Sequence, residues 1–246
     1  IRFIDWKSSA RTGRLLTKQY LDERNRTVMV LLDVSASNQF GAQYQLMAQI
    51  AALLVAVAHY GKDRVGLSLF ADEVVKYIAP NQGLMHLMGL YQDIFAADES
   101  VSANHKDGMV RYASATSLKN ALDFLAQRAS RERWLLFIIS DFITPDDYYR
   151  PLQLIAQQHD VIALRCLDPQ AQQLPALGLL TLTDLETGTV CEVTPAQYEQ
   201  LNQLLAQRLQ TQTQQLRQSG IALLELVSQS QVVADLSQLF QQRALY

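Results

Sequence analysis

The chain has 246 residues, 49% of them hydrophobic and 18% charged, with a net charge of −3. That balance suits one large globular domain, or one with a small appendage, and argues against a dedicated nucleic-acid binder, which is usually basic overall. Two cysteines, Cys166 and Cys191, form no Cys-x-x-Cys pair and describe neither a disulfide framework nor a zinc knuckle; they read as buried thiols in a reducing compartment. No apolar run approaches the ~18 residues that span a membrane. The longest, Met47 to Ala58, is broken by Gln49 and reads as a buried helix. The chain opens at Ile1 inside a polar-aromatic run, as a fragment of a longer amino-terminal region would.

In chain order, residues 1–26 are polar and basic. Arg2, Lys7, Arg11, Arg14 and Lys18 stand against Asp5 alone, and Trp6 among them predicts an anchor that docks this segment on the body that follows. Thr27 to Leu32 is a short β-branched and apolar run, the pattern of a strand buried on both faces, and it ends at Asp33. A helix is predicted from about Ala42 to Tyr60, closed by Gly61 as its carboxyl cap. Arg64 to Phe70 and Val74 to Ala79 read as strands, Leu84 to Phe95 as a helix, and Asp98 to Ala115 as a long loop. Ser117 to Ala129 is helical, and Trp134 to Ile139 is a second doubly buried strand, leading to Asp141.

Thr144-Pro145-Asp146-Asp147 predicts a helix start with proline in its first position. Asp160 to Leu167 is strand-like. Leu179 to Thr183 and Thr189 to Val193, joined by Glu186-Thr187-Gly188, predict a hairpin inserted at about 168–195. Thr194-Pro195-Ala196-Gln197 is a capping box that opens a glutamine-rich helix to about Ser219. In that helix Leu201, Leu205, Leu209 and Leu216 supply the packed face and the glutamines the solvated one. Ile221 to Val227 and Val232 to Arg243 close the chain as strand and helix. Strands alternating with helices imply a doubly wound, mainly parallel six-stranded α/β sheet covered by helices on both faces, occupying residues 27–246.

The chemistry concentrates at two strand ends. In Asp33-Val34-Ser35-Ala36-Ser37, alternate residues of a strand-to-loop turn can converge, bringing Asp33, Ser35 and Ser37 toward one point. Asp141 follows its strand as Asp33 does, and Thr116 stands just before a helix. In an open parallel sheet, ligands bind beyond the carboxyl ends of the strands where the strand order reverses. If these two strands are neighbours, Asp33, Ser35, Ser37, Thr116 and Asp141 meet there as a hard, all-oxygen set suited to Mg²⁺ or Mn²⁺, with Ca²⁺ as a third candidate.

This set resembles the metal-ion-dependent adhesion site of von Willebrand factor A domains. The chain is most similar to a bacterial group with that fold, the domain of unknown function 58 family. The likeness rests on Arg2-Phe3-Ile4-Asp5-Trp6-Lys7-Ser8-Ser9-Ala10-Arg11, on Glu23-x-x-Arg26, on Asp63-Arg64-Val65-Gly66-Leu67, on Ser140-Asp141-Phe142 and on the late hairpin. Asn38, Phe142 and the neighbours of Thr116 depart from the wider superfamily without removing a ligand. The resemblance implies a von Willebrand factor A-like fold and a cation-dependent protein-binding module. It also implies a partner, a MoxR-type AAA+ ATPase or its client, met through the metal-site face.

Enzymatic readings have less to stand on. Ser35 lacks the glycines of a Gly-x-Ser-x-Gly elbow, and the turn after Leu32 lacks a glycine-rich phosphate cradle. His59, His86, His105 and His159 are scattered and read as surface or helix-end residues. The expectation is a binding protein with no catalytic residues, no nucleic-acid partner and a cytoplasmic location.

Overall fold

A computed structural model describes residues 26–35, 43–104, 116–128, 132–144, 146–167, 180–183, 190–227 and 232–244. The predicted amino-terminal segment, Trp6 included, and Ser37 lie outside them. The strands among the described residues are β1 (Thr27–Asp33), β2 (Arg64–Phe70), β3 (Val74–Asn81), β4 (Trp134–Ser140), β5 (Asp160–Cys166), β6 (Leu180–Thr183), β7 (Val190–Val193) and β8 (Ala222–Leu226). The helices are α1 (Gln43–Tyr60), α2 (Leu84–Asn104), α3 (Leu118–Arg128), α4 (Tyr149–Gln158), α5 (Pro195–Gln218) and α6 (Val232–Ala244).

Six strands form one sheet in the order β3-β2-β1-β4-β5-β8, parallel throughout except for β3. β6 and β7 pair separately as the antiparallel hairpin. The alternation of a pleated strand divides the core in two. Val28, Val30 and Leu32 of β1, with Phe137 and Ile139 of β4, pack under α1, α2 and α6. Met29 and Leu31, with Leu136 and Ile138, face α3 and α4 and the carboxyl end of α5. Both faces of the central strands are therefore dry, which is why their sequences read as unbroken apolar runs. A Cβ at Gly66 would sit 2.7 Å from Met29 Cε and 2.9 Å from the Ile78 carbonyl, so β2 needs glycine where β3 crosses it.

Three local expectations are corrected. Lys62 (φ 61°), and not Gly61, takes the left-handed position after α1, while the Asp63 amide reaches back to the Ala58 carbonyl (2.9 Å). The helix from Leu84 runs on to Asn104 and absorbs residues 98–104 of the expected loop; residues 105–115 lie outside the described set. The helix expected at Pro145 starts instead at Tyr149; the Thr144 hydroxyl accepts the Asp146 amide (3.4 Å) and also donates to a carbonyl described below. His159 is a helix-end residue but a buried one, stacked on Trp134 at 5.2 Å and accepting the Trp134 amide on Nδ1 at 3.1 Å.

Candidate metal centre at the carboxyl end of the sheet

β1 and β4 are neighbours in parallel register, Leu32 opposite Ile139, so the chain leaves both strands at the same edge. From β1 the sheet continues to β2 on one side, and from β4 to β5 on the other. This is the point where strand order reverses, where open α/β sheets leave a crevice. Asp33 ends β1 fully buried, and Ser35 follows it at 1% exposure. Asp141 follows β4 at 5%, and Thr116 precedes α3 at 2%. Four of the five expected ligands thus lie buried at this edge.

A set of hydrogen bonds fixes them. The Ser35 amide donates to Asp33 Oδ1 (2.9 Å), and the Ser140 hydroxyl donates to Asp33 Oδ2 (2.6 Å). Ser140 therefore ties the carboxylate of one strand to the end of the next. Its Oγ also accepts the Phe142 amide (3.0 Å), while Asp141 Oδ1 accepts the Ile143 amide (2.8 Å). The Val34 amide donates to the Phe70 carbonyl and the Ser117 amide to the Ala71 carbonyl, both at 2.8 Å, pinning the two turns to the end of β2. Ser117 caps α3 by accepting the Asn120 amide (3.2 Å). The Thr144 hydroxyl donates to the Thr116 carbonyl (2.5 Å) and so joins the Thr116 segment to the Asp141 loop.

The other side of this loop rests on α5. Gln212 Nε2 donates to the Phe142 carbonyl (3.1 Å) and an Arg208 guanidinium nitrogen to the Thr144 carbonyl (3.2 Å). Beneath α5, Arg165 lies fully buried on the face that Val161 and Ala163 make apolar. It donates to Thr213 Oγ1 (2.9 Å) and the Leu209 carbonyl (3.4 Å) and pairs with Glu225 (3.3 Å). Burial lowers the Arg165 pKa, opposed by the charge of Glu225. Burial, then the negative charge of Asp141, pushes the Cys166 thiol up, which keeps it protonated and inert. Ser140, Thr144, Arg208 and Gln212 were not among the expected site residues.

The donor chemistry fits a hard cation. Among the described residues no three His, Cys, Asp or Glu side chains form a metal-like group. An ion here would rest on two carboxylates, hydroxyls and water, a set that suits Mg²⁺ or Mn²⁺ and disfavours softer metals.

Comparison with known proteins agrees with this architecture. Residues 1–215 match a family described as "Protein of unknown function DUF58", and the chain belongs to that family. Uncharacterized protein Rv1480 of Mycobacterium tuberculosis is 28% identical over 242 residues, covering 96% of this chain and 73% of the relative. Uncharacterized protein MAV169 of Mycobacterium avium is 44% identical over 77 residues, 31% of this chain and 45% of that one. The fold is similar to that of the conserved hypothetical protein BatB from Bacteroides thetaiotaomicron, at TM-score 0.54 and 14% identity, covering 90% of this chain and all (100%) of the other. An aerotolerance-related membrane protein from Bacteroides fragilis is similar at TM-score 0.51 and 14% identity, over 86% and 96% of the two chains. No helix among the described residues is long and apolar enough to cross a membrane.

Proposed function

We propose that this chain is a divalent-cation-dependent protein-binding module of the von Willebrand factor A type, acting as an adaptor or co-chaperone for a MoxR-type AAA+ ATPase. One observation carries the reading: β1 and β4 are adjacent and end together, so Asp33, Ser35 and Asp141 share the switch-point edge with Thr116. Asp33, Ser35, Ser37, Thr116 and Asp141 are the proposed ligands. Mg²⁺ favours six oxygens and retains water readily, so a carboxylate from a partner can complete the sphere. Affinity for the partner then depends on the ion. The half-exposed Ile143, two residues beyond Asp141, offers that partner an apolar contact beside the charge.

A second reading draws on the two oxygens of Asp33, each of which already accepts a hydrogen bond within the protein. On that reading the edge is a closed structural knot in an adaptor that needs no ion. Capture of the ATPase partner with and without chelator separates the two, since the closed form binds equally well in both.

Metal linkage tests the first reading without any partner. An ion that binds only the folded state stabilises it by RT ln(1 + [L]/Kd), about 2.7 kcal/mol at a hundredfold excess over Kd. In a domain of this size each kcal/mol raises Tm by roughly 2–4 °C. Saturating Mg²⁺ or Mn²⁺ is expected to raise Tm, Asp33→Ala to abolish the rise, and Ser35→Ala to reduce it. A flat wild-type curve with both ions, repeated in the presence of the partner, ends the cation-dependent reading.

A further inference from the structure

We propose that helix α5 sets the conformation of the Asp141 loop, with Arg208 and Gln212 as positioning residues, so that seating of α5 and occupation of the metal site are coupled. The coupling half rests on the cation reading above; the positioning half does not.

Three observations on α5 converge. Its side chains hold the loop at two carbonyls, Phe142 through Gln212 and Thr144 through Arg208, and these bracket the stretch that begins at Asp141. Phe142 and Thr144 are buried, so their carbonyls need partners within the protein. Here side chains one helical turn apart take both. The backbone between them is also held against its preference. Phe142 has φ 60°, a region that a bulky residue rarely occupies unless its surroundings impose it. Its amide is held by Ser140 Oγ and its carbonyl by Gln212, so both peptide groups flanking the strained residue are clamped.

The seat of α5 is itself polar and incompletely satisfied. Gln212 is 6% exposed, and its Oε1 has no hydrogen-bond partner among the described residues. Arg165, which carries α5 through Leu209 and Thr213, has a buried Nε that also lacks one among the described residues. Buried polar groups without partners are costly, and cores seldom tolerate them where simple packing would serve. An apolar residue at 212 would pack the helix equally well. What it would lose is the grip on Phe142. A seat with an unused acceptor and an unused donor also has a second arrangement within reach, whereas a fully apolar interface is fixed by its packing. The loop transmits that choice directly, because the Asp141 carboxylate is oriented by the amide of Ile143, inside the bracketed stretch.

The test uses the whole chain with Arg208→Ala, Arg208→Lys and Gln212→Leu. Leucine retains volume and removes both the donor and the unpartnered acceptor, so the fold survives. In the absence of metal, amide exchange of Ile143 is expected to accelerate at least about tenfold in Arg208→Ala and Gln212→Leu, while Ile138 in the core of β4 is unchanged. Lysine at 208 can still donate to a carbonyl and restores most of the protection. Mn²⁺ alone is the second probe. Its affinity is expected to fall on the order of tenfold in the first two variants, as for groups that orient metal ligands elsewhere. By reciprocity, saturating Mn²⁺ slows exchange in α5 of the wild type. Unchanged Ile143 exchange in both variants overturns the positioning role, whatever the metal does. Faster exchange with unaltered Mn²⁺ affinity overturns the coupling. A wild type that binds no Mn²⁺ refutes the cation reading and the coupling with it, and the exchange result still decides the positioning role.

Discussion

At the amino end of the sheet, polar groups pair off locally: Asp63 accepts the Arg26 amide (2.9 Å), Glu132 meets Arg64 (3.4 Å), and His159 takes the Trp134 amide. The Arg64–Glu132 pair stays wet, with side-chain exposures of 45% and 62%. At the carboxyl end, Asp33, Ser35, Thr116, Ser140, Asp141, Thr144, Arg165 and Gln212 are all buried. Two carboxylates and a guanidinium are there removed from water, a costly arrangement that packing alone does not require. The contrast is between a sheet end that closes with paired polar groups and one that buries charge. One end finishes the sheet, and the other concentrates desolvated charge where the strand order reverses, as binding sites do.

The largest expected effect falls on the polar seat of α5. Arg165→Ala removes the cationic partner of Glu225 and two donors to α5 and leaves a cavity, and denaturant unfolding is expected to show a loss of about 3 kcal/mol. Arg165→Met fills the space and is expected to recover part of it. Ser140→Ala comes next, at about 2 kcal/mol, because it deletes a bond to a buried carboxylate and leaves the Phe142 amide without its acceptor. The matched change at the other end, Thr27→Val, removes a 3.3 Å bond to the exposed Glu132 and is expected to cost less than about 1 kcal/mol. Equal losses for Ser140→Ala and Thr27→Val would erase the distinction between the two ends.

Much of this was legible in the sequence, and the misses have physical causes. β1, β4 and β5 are apolar on both faces and cannot be mistaken for loops, and the placement of Asp33 and Asp141 after their strands follows from that. Which strands lie side by side is a long-range fact. Periodicity does not encode it, so convergence of the candidate ligands was conditional until the β1–β4 pairing was seen. Gln212 was grouped with the solvated glutamines of α5. Its spacing said otherwise, three residues after Leu209 and four before Leu216, on the packed face. Thr144 carries a capping signature, and its hydroxyl also reaches the Thr116 carbonyl, a tertiary contact 28 residues away that the local pattern does not encode. Arg165 interrupts an otherwise apolar strand, and nothing local announces Glu225 of β8, which takes up its charge, or the α5 acceptors beside it.

The smallest effect tests the amino end. His159 is 4% exposed, and its Nδ1 accepts a backbone amide, so the neutral ring carries its proton on Nε2. Protonating Nδ1 would turn that acceptor into a donor facing the Trp134 amide. Burial, then the nearby charge of Arg133, holds the His159 pKa below its usual value of 6.5. In the unfolded chain the ring therefore takes up its proton at higher pH than in the folded one. The contribution of neutral His159 to stability is thus fully present above about pH 6.5 and declines as the pH falls through the lower, folded-state value. Other groups titrate in the same window, so the measurement is a difference: unfolding free energy from pH 7.5 to 5 for wild type and for His159→Phe. Phenylalanine retains the stack on Trp134 and cannot titrate. It is expected to cost about 1 kcal/mol at pH 7.5, where the Trp134 amide loses its acceptor, and progressively less as the wild type loses its own advantage toward pH 5. Parallel curves across the range would mean that the histidine stays neutral in both states or is charged in both.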